Sequence, residues 1–326
     1  MTRTRFSRPA GAVFLFVLAA LVSGAPDAAA EGIFWAEMTF LEALEQAGRE
    51  DKLLMVDVHA AHCMQCKEMD EELWETPAGA TLGEGLIAVK VASDRPEANE
   101  LRQRYPILGL PVVIFIKPGG EELGRVLGFR SVKSFLADAD GLREWIDPLP
   151  PLEAELEANP NSITHLLTVL EQYIYRMREA DAHELLDRIM VLDPEHRSRE
   201  ATKALTLTAK YQEQFRRDWD EALALWKSLV QLYPTLPSVS SGIKGSCTIA
   251  KAWDQEQSWI DWICDIGAQY PESGRLHYNI AMISYREGLT DACLAKSARI
   301  AIARGVGPKN MDEIAAALGG SAASDE

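Results

Sequence analysis

Apolar and polar positions alternate along the first half of the chain in a way that changes period several times. Phe40, Leu41, Leu44 and Ala47 recur at helical spacing, which predicts a helix over 39–48. Leu53-Leu54-Met55-Val56-Asp57-Val58 is a nearly unbroken apolar run of strand length. A helix over 63–74, a strand over 87–91 and a helix over 99–105 follow, the last stopped by Pro106. Residues 112–116 and 122–127 read as strands joined by the turn Lys117-Pro118-Gly119-Gly120, and 131–145 closes the unit as a helix. That order predicts an α/β domain, a compact central mixed sheet with flanking helices on both faces.

Pro148, Pro150 and Pro151 punctuate the chain, and beyond them the pattern is helical alone. Amphipathic segments recur at 163–176, 180–192, 200–215, 220–233, 258–270, 276–286 and 290–303. Three end alike, at Leu192-Asp193-Pro194, Leu232-Tyr233-Pro234 and Gln269-Tyr270-Pro271. The prolines recur at a spacing near the ~34-residue period of helical-hairpin repeats. Glu221-Ala222-Leu223-Ala224-Leu225-Trp226 and Leu276-His277-Tyr278-Asn279-Ile280-Ala281 resemble tetratricopeptide helices. The expectation is an all-α helical-hairpin repeat domain of irregular repeats, with the Ser- and Gly-rich stretch 237–246 as an inter-repeat loop. An ordinary all-α domain with proline-terminated helices is the alternative.

The first thirty residues are unlike the rest. Arg3, Arg5 and Arg8 precede an apolar run over 10–22, followed by Ser23, Gly24 and Ala28-Ala29-Ala30, the pattern of a secretory leader. An uncleaved membrane anchor is the alternative, although a span needs about 20 apolar residues. The expected division is a signal peptide over 1–30, an α/β domain over 31–147, a linker over 148–158, helical repeats over 159–318 and a disordered tail over 319–326. The expected location is periplasmic or secreted, soluble after cleavage. Loss of the leader takes the net charge from −16 to about −18, which argues against nucleic-acid partners and anionic membrane surfaces.

Of the five cysteines only Cys63 and Cys66 have motif spacing. Cys63-Met64-Gln65-Cys66 at a helix start is suited to disulfide exchange, because unpaired N–H groups and the helix dipole favour a thiolate at the first position. Cys63 is then the attacking thiol and Cys66, one turn in, the resolving one. Asp57 interrupts an apolar strand, where a carboxylate is costly unless paired or protonated, and so is a candidate proton relay for Cys66. A solvated position at a sheet edge is the alternative for Asp57. Cys247, Cys264 and Cys293 carry no sign of reactivity; Cys247 with Cys264 is one pairing, and Cys293 with either is another.

Met55-Val56-Asp57-Val58-His59-Ala60-Ala61-His62-Cys63-Met64-Gln65-Cys66-Lys67 resembles the active-site stretch of the thioredoxin superfamily. The resemblance runs over about 35–145 and is nearest to the periplasmic group that includes the C-terminal domain of transmembrane thiol-disulfide interchange proteins. It implies that Asp57 is the buried relay carboxylate, that Lys90 pairs with it, and that Gly109-Leu110-Pro111 holds a cis proline. It also implies that Leu110 offers its backbone to an extended substrate, with Pro111, Met64, Gln65 and His62 in the same contact surface.

His62 and His59 stand where the family has aromatic residues, and Met64-Gln65 replaces Gly-Pro. A histidinium would stabilise the thiolate, while a neutral imidazole would shuttle protons. His59, His62, Cys63 and Cys66 also form a cluster able to hold zinc or copper, an alternative to simple redox chemistry. No catalytic constellation appears in the helical half: His165, His183, His196 and His277 are isolated, and Trp259, Trp262 and Ile263 or Ile266 fit packing between hairpins.

The expected function is therefore thiol-disulfide oxidoreduction through a redox-active Cys63–Cys66 disulfide, with no other cofactor and no resident metal. Partners are protein thiols and disulfides, with a membrane thiol-disulfide reductase as a candidate. The repeats serve docking, substrate selection or homodimerisation. A non-catalytic adaptor with a structural thioredoxin-like part is the rival.

Overall fold

The computed structural model describes residues 32–320, so the leader and the last six residues lie outside it. The chain begins with α1 (Phe40–Glu50), whose start is fixed by a capping box between Thr39 and Glu42. β1 (Leu54–His59) follows, then α2 (Met64–Met69), which continues through a wide π-helical turn over Asp70–Trp74. Next come α3 (Pro77–Gly83), β2 (Ile87–Ala92), α4 (Asn99–Arg104), β3 (Val112–Ile116), β4 (Glu122–Leu127) and α5 (Val132–Arg143).

The four strands form one mixed sheet in the order β2-β1-β3-β4. β1 runs parallel to β2 and antiparallel to β3, and β4 is antiparallel to β3. Period-two alternation on β1 divides the interior. Leu54, Val56 and Val58 pack with Phe40, Ala43 and Tyr105 on one face, while Met55 joins Trp74, Phe115 and Phe135 on the other. Asp57 has the parity of Met55 and enters that second layer, where it is fully buried. This removes the sheet-edge alternative, because β1 has a neighbour on both sides.

The expected linker is helical. α6 (Leu149–Ala158) starts with Pro150 and Pro151 in its first turn, where proline costs no hydrogen bond. Helices α7 (Ile163–Tyr175), α8 (Glu179–Leu192), α9 (Arg199–Lys210) and α10 (Trp219–Leu232) follow. Then come α11 (Val239–Ala252), α12 (Glu256–Gln269), α13 (Gly274–Arg286), α14 (Ala292–Ala303) and α15 (Met311–Leu318). Consecutive helices pack on one another, α7 on α8, α10 on α11 and α13 on α14.

The Ser- and Gly-rich stretch expected as a loop is the first half of α11. Its small residues serve close packing: a Cβ on Gly245 would lie 2.4 Å from the Trp226 ring, and one on Gly242 2.8 Å from the Trp226 carbonyl. Ser246 donates to the Gly242 carbonyl at 2.7 Å and accepts the Trp259 indole N–H at 2.9 Å. Tertiary contact overrides the weak helix propensity of glycine here. Trp259, Ile263 and Ile266 are buried, as the packing interpretation requires.

Cys264 on α12 is bonded to Cys293 at the start of α14, and Cys247 is the buried free cysteine. Burial pushes its thiol up to about 12, so it stays protonated and unreactive at neutral pH. Among the described residues no helix is long and apolar enough to cross a membrane.

Candidate active site

Cys63 and Cys66 form a disulfide where the β1 exit loop enters α2. Cys63 is the N-cap, and its Sγ accepts the Cys66 backbone N–H at 3.2 Å, so the helix start points a donor at that sulfur. Cys63 is half-buried and Cys66 is 2% exposed, the asymmetry that an attacking and a resolving thiol require. Met64, Gln65 and His62 are exposed around the pair.

Asp57 has neither carboxylate oxygen hydrogen-bonded. Loss of water raises its pKa from the usual carboxylate value to about 7; Lys90 draws it down, Asp70 pushes it up, and the Trp74 indole adds a smaller downward pull. Lys90 lies opposite Asp57 in the β1–β2 register, with Nζ 3.9 Å from Asp57 Oδ2. It is shared. The ammonium makes a close ion pair with Asp70 in the turn after α2 and lies 5.8 Å from the centre of the Trp35 ring. The expected Asp57–Lys90 pair is thus one side of a three-residue charge cluster. Asp70 escapes a periodicity reading because its partner is 20 residues away; its place one turn beyond Cys66 was the available signal.

The Leu110-Pro111 peptide bond is cis. The register pairs Val58 with Val112, and Val112 with Leu127, so Pro111 and Gly128 lie at the sheet end where β1 leads to Cys63. Leu110 is half-buried and the Pro111 carbonyl accepts Gly128 N–H at 2.9 Å.

His59 ends β1 half-buried, and burial together with Lys90 holds its pKa below the ordinary histidine value, so the ring is neutral at pH 7. His62 is exposed in the loop. Among the described residues the ligand atoms that converge within 4.8 Å belong to Cys264, Asp291 and Cys293, not to His59, His62, Cys63 and Cys66. In this state both sulfurs of the dithiol are bonded to one another. The remaining histidines take packing roles: His277 Nδ1 lies 3.1 Å from Ser297 Oγ in the interior, and His183 meets Glu221.

The first third of the described chain is similar in sequence to known proteins. The family model of the thioredoxin-like domain matches residues 40–140. A thiol:disulfide interchange protein DsbD from Klebsiella pneumoniae is 32% identical over 108 residues, which is 32% of this chain and 17% of that protein. The thiol:disulfide interchange protein DsbD 2 of Pseudomonas aeruginosa is 32% identical over 105 residues, covering 31% of this chain and 18% of its own. The chain thus spans less than a fifth of the length of these relatives. Among solved structures, a thioredoxin from Thermus thermophilus aligns at 30% identity over 34% of this chain and 87% of its own, with a TM-score of 0.31. Residues 40–140 are thus a thioredoxin-like domain, and an all-helical region follows it.

Proposed function

We propose that the protein is an exported thiol-disulfide oxidoreductase acting on protein disulfides. The observation that carries this is the Cys63–Cys66 disulfide at the start of α2, with one sulfur accessible and the other buried. In the reducing direction the Cys63 thiolate attacks a substrate disulfide. That S–S bond breaks, a mixed disulfide forms, and the released substrate thiolate takes a proton. Cys66, its proton taken by the Asp57 carboxylate, then attacks Cys63 and frees the second substrate thiol. Two electrons pass to the substrate, and the Cys63–Cys66 bond re-forms. A pKa of about 7 suits Asp57 to this exchange, since it gains and loses a proton near neutral pH. Donation of a disulfide uses the same residues in reverse, and a thiol reductase would reset the pair.

Export is supported by the leader pattern over 1–30 and by the Cys264–Cys293 bond, since disulfides persist in oxidising compartments. The test is a Cys66→Ala chain expressed in its own compartment. Discrete mixed disulfides with other proteins should accumulate and vanish when Cys63 is also changed. No such adducts, together with stoichiometric metal on the reduced unmodified chain, would turn the assignment toward His59, His62, Cys63 and Cys66 as a metal site.

A further inference from the structure

The helical region is fastened to the sheet domain along β4 and, at one point, beside the cis proline. Arg125 of β4 donates to Glu122 and to the Pro106 carbonyl, and its guanidinium lies 4.0 Å from the centre of the Tyr175 ring on α7. Arg176, at the end of α7, donates to the Leu123 carbonyl at 2.9 Å and to Asp147 at 2.7 and 3.1 Å. Lys210 at the end of α9 reaches the Leu108 carbonyl at 3.4 Å, directly beside Gly109-Leu110-Pro111. Between these fastenings lies a cavity of about 410 Å³. Its first wall is the loop over 108–111 with Leu127 and Gly128; its second is built from α7, α9 and the start of α11.

The second wall is polar and on balance cationic. Lys203 is exposed on α9 and, among the described residues, neither it nor Lys210 has a carboxylate within ion-pair distance; Lys210 donates to the Leu108 carbonyl. Glu171 is the one anionic lining residue; burial holds its pKa above the ordinary value against the pull of Lys203. The Ser238 hydroxyl is shut off from solvent and lacks a hydrogen-bond partner. Such a surface is unusual on a chain of net charge −16, which repels acidic partners elsewhere.

We propose that this cleft is the specificity site of the oxidoreductase. It takes the extended segment of the partner protein that leads away from its reacting cysteine and reads an acidic side chain in that segment through Lys203 and Lys210. This rests on the redox function proposed above. The segment's backbone runs along Leu110, so its side chains alternate and every second one faces α9. An acidic side chain there gains two ammonium partners, whereas a lysine meets like charge.

The reduced full-length mature protein tests this with two disulfide-bonded peptides, identical except for Glu or Lys at the positions two and four residues from the cysteine. The rate ratio between them is internal to each variant, so loss of folded protein cancels. The Glu peptide should react about fivefold faster, the ratio expected for partly exposed charge pairs. Lys203→Glu should bring the ratio to about one or below, and Lys210→Ala should reduce it further. A ratio near one in the unmodified chain, or one untouched by both substitutions, would overturn the specificity site. Hydroxyethyl disulfide, too small to fill the cleft, reports separately on the underlying chemistry: if the unmodified chain fails to reduce it, the redox function itself is wrong.

Discussion

Replacing Asp57 by Asn should shift the protein's stability in the variant's favour by an amount that grows with pH. The folded-state pKa is about 7, raised from 3.8 by burial. A raised carboxyl means that the folded chain holds the proton more tightly than the unfolded chain does, so stability falls as pH climbs between those values and then levels off. Linkage puts the cost of ionising Asp57 at about 0.5 kcal/mol at pH 4, about 1.5 at pH 5 and about 4 from pH 7 upward. Asn keeps the shape and cannot ionise; whatever its amide costs in the apolar layer is the same at every pH. The stability difference between variant and parent should therefore grow by about 3 kcal/mol from pH 5 to pH 8. Urea denaturation of the oxidised proteins at the two pH values, with m unchanged, measures it. A difference that stays flat within about 0.5 kcal/mol would show that Asp57 does not carry the buried, proton-holding carboxyl on which the relay depends.

Gly245→Ala on α11 drives a methyl into the Trp226 indole and should cost about 1–3 kcal/mol in urea denaturation, whereas Gly119→Ala, with nothing within 4 Å, should cost well under that. Arg125→Ala leaves Glu122 buried without its partner and should lose about 3–5 kcal/mol at pH 7; a loss below about 1 kcal/mol would mean that water reaches the carboxylate. Cys264→Ser should lower stability by about 3 kcal/mol through the loop that Cys264–Cys293 closes, while Cys63–Cys66 exchange with hydroxyethyl disulfide continues. In the pH profile of peptide reduction, the inflection near 7 should disappear in Asp57→Asn; its persistence would assign it to another group.

Four strands, read at 53–58, 87–91, 112–116 and 122–127 and found within a residue of those bounds, and the dithiol at the start of α2 were legible in the chain itself. Period-two and helical patterns record which face of a local segment is dry, and a two-residue gap on a first helical turn is a local geometry. What sits opposite a residue is not local. Glycines that read as loop became helix because Trp226 needs a surface without Cβ atoms, and of three scattered cysteines only Cys264 and Cys293 were brought together by α12 and α14. Asp57 and Lys90 were visible as candidates, yet the proton on Asp57 depends on complete desolvation and on Asp70 taking much of the lysine's charge. The sequence by itself determined the four strands, the exchange pair and the carboxyl behind it. Tertiary structure alone decided the ionisation of that carboxyl and the cleft beside Pro111, because desolvation and shared charge arise only when distant segments meet.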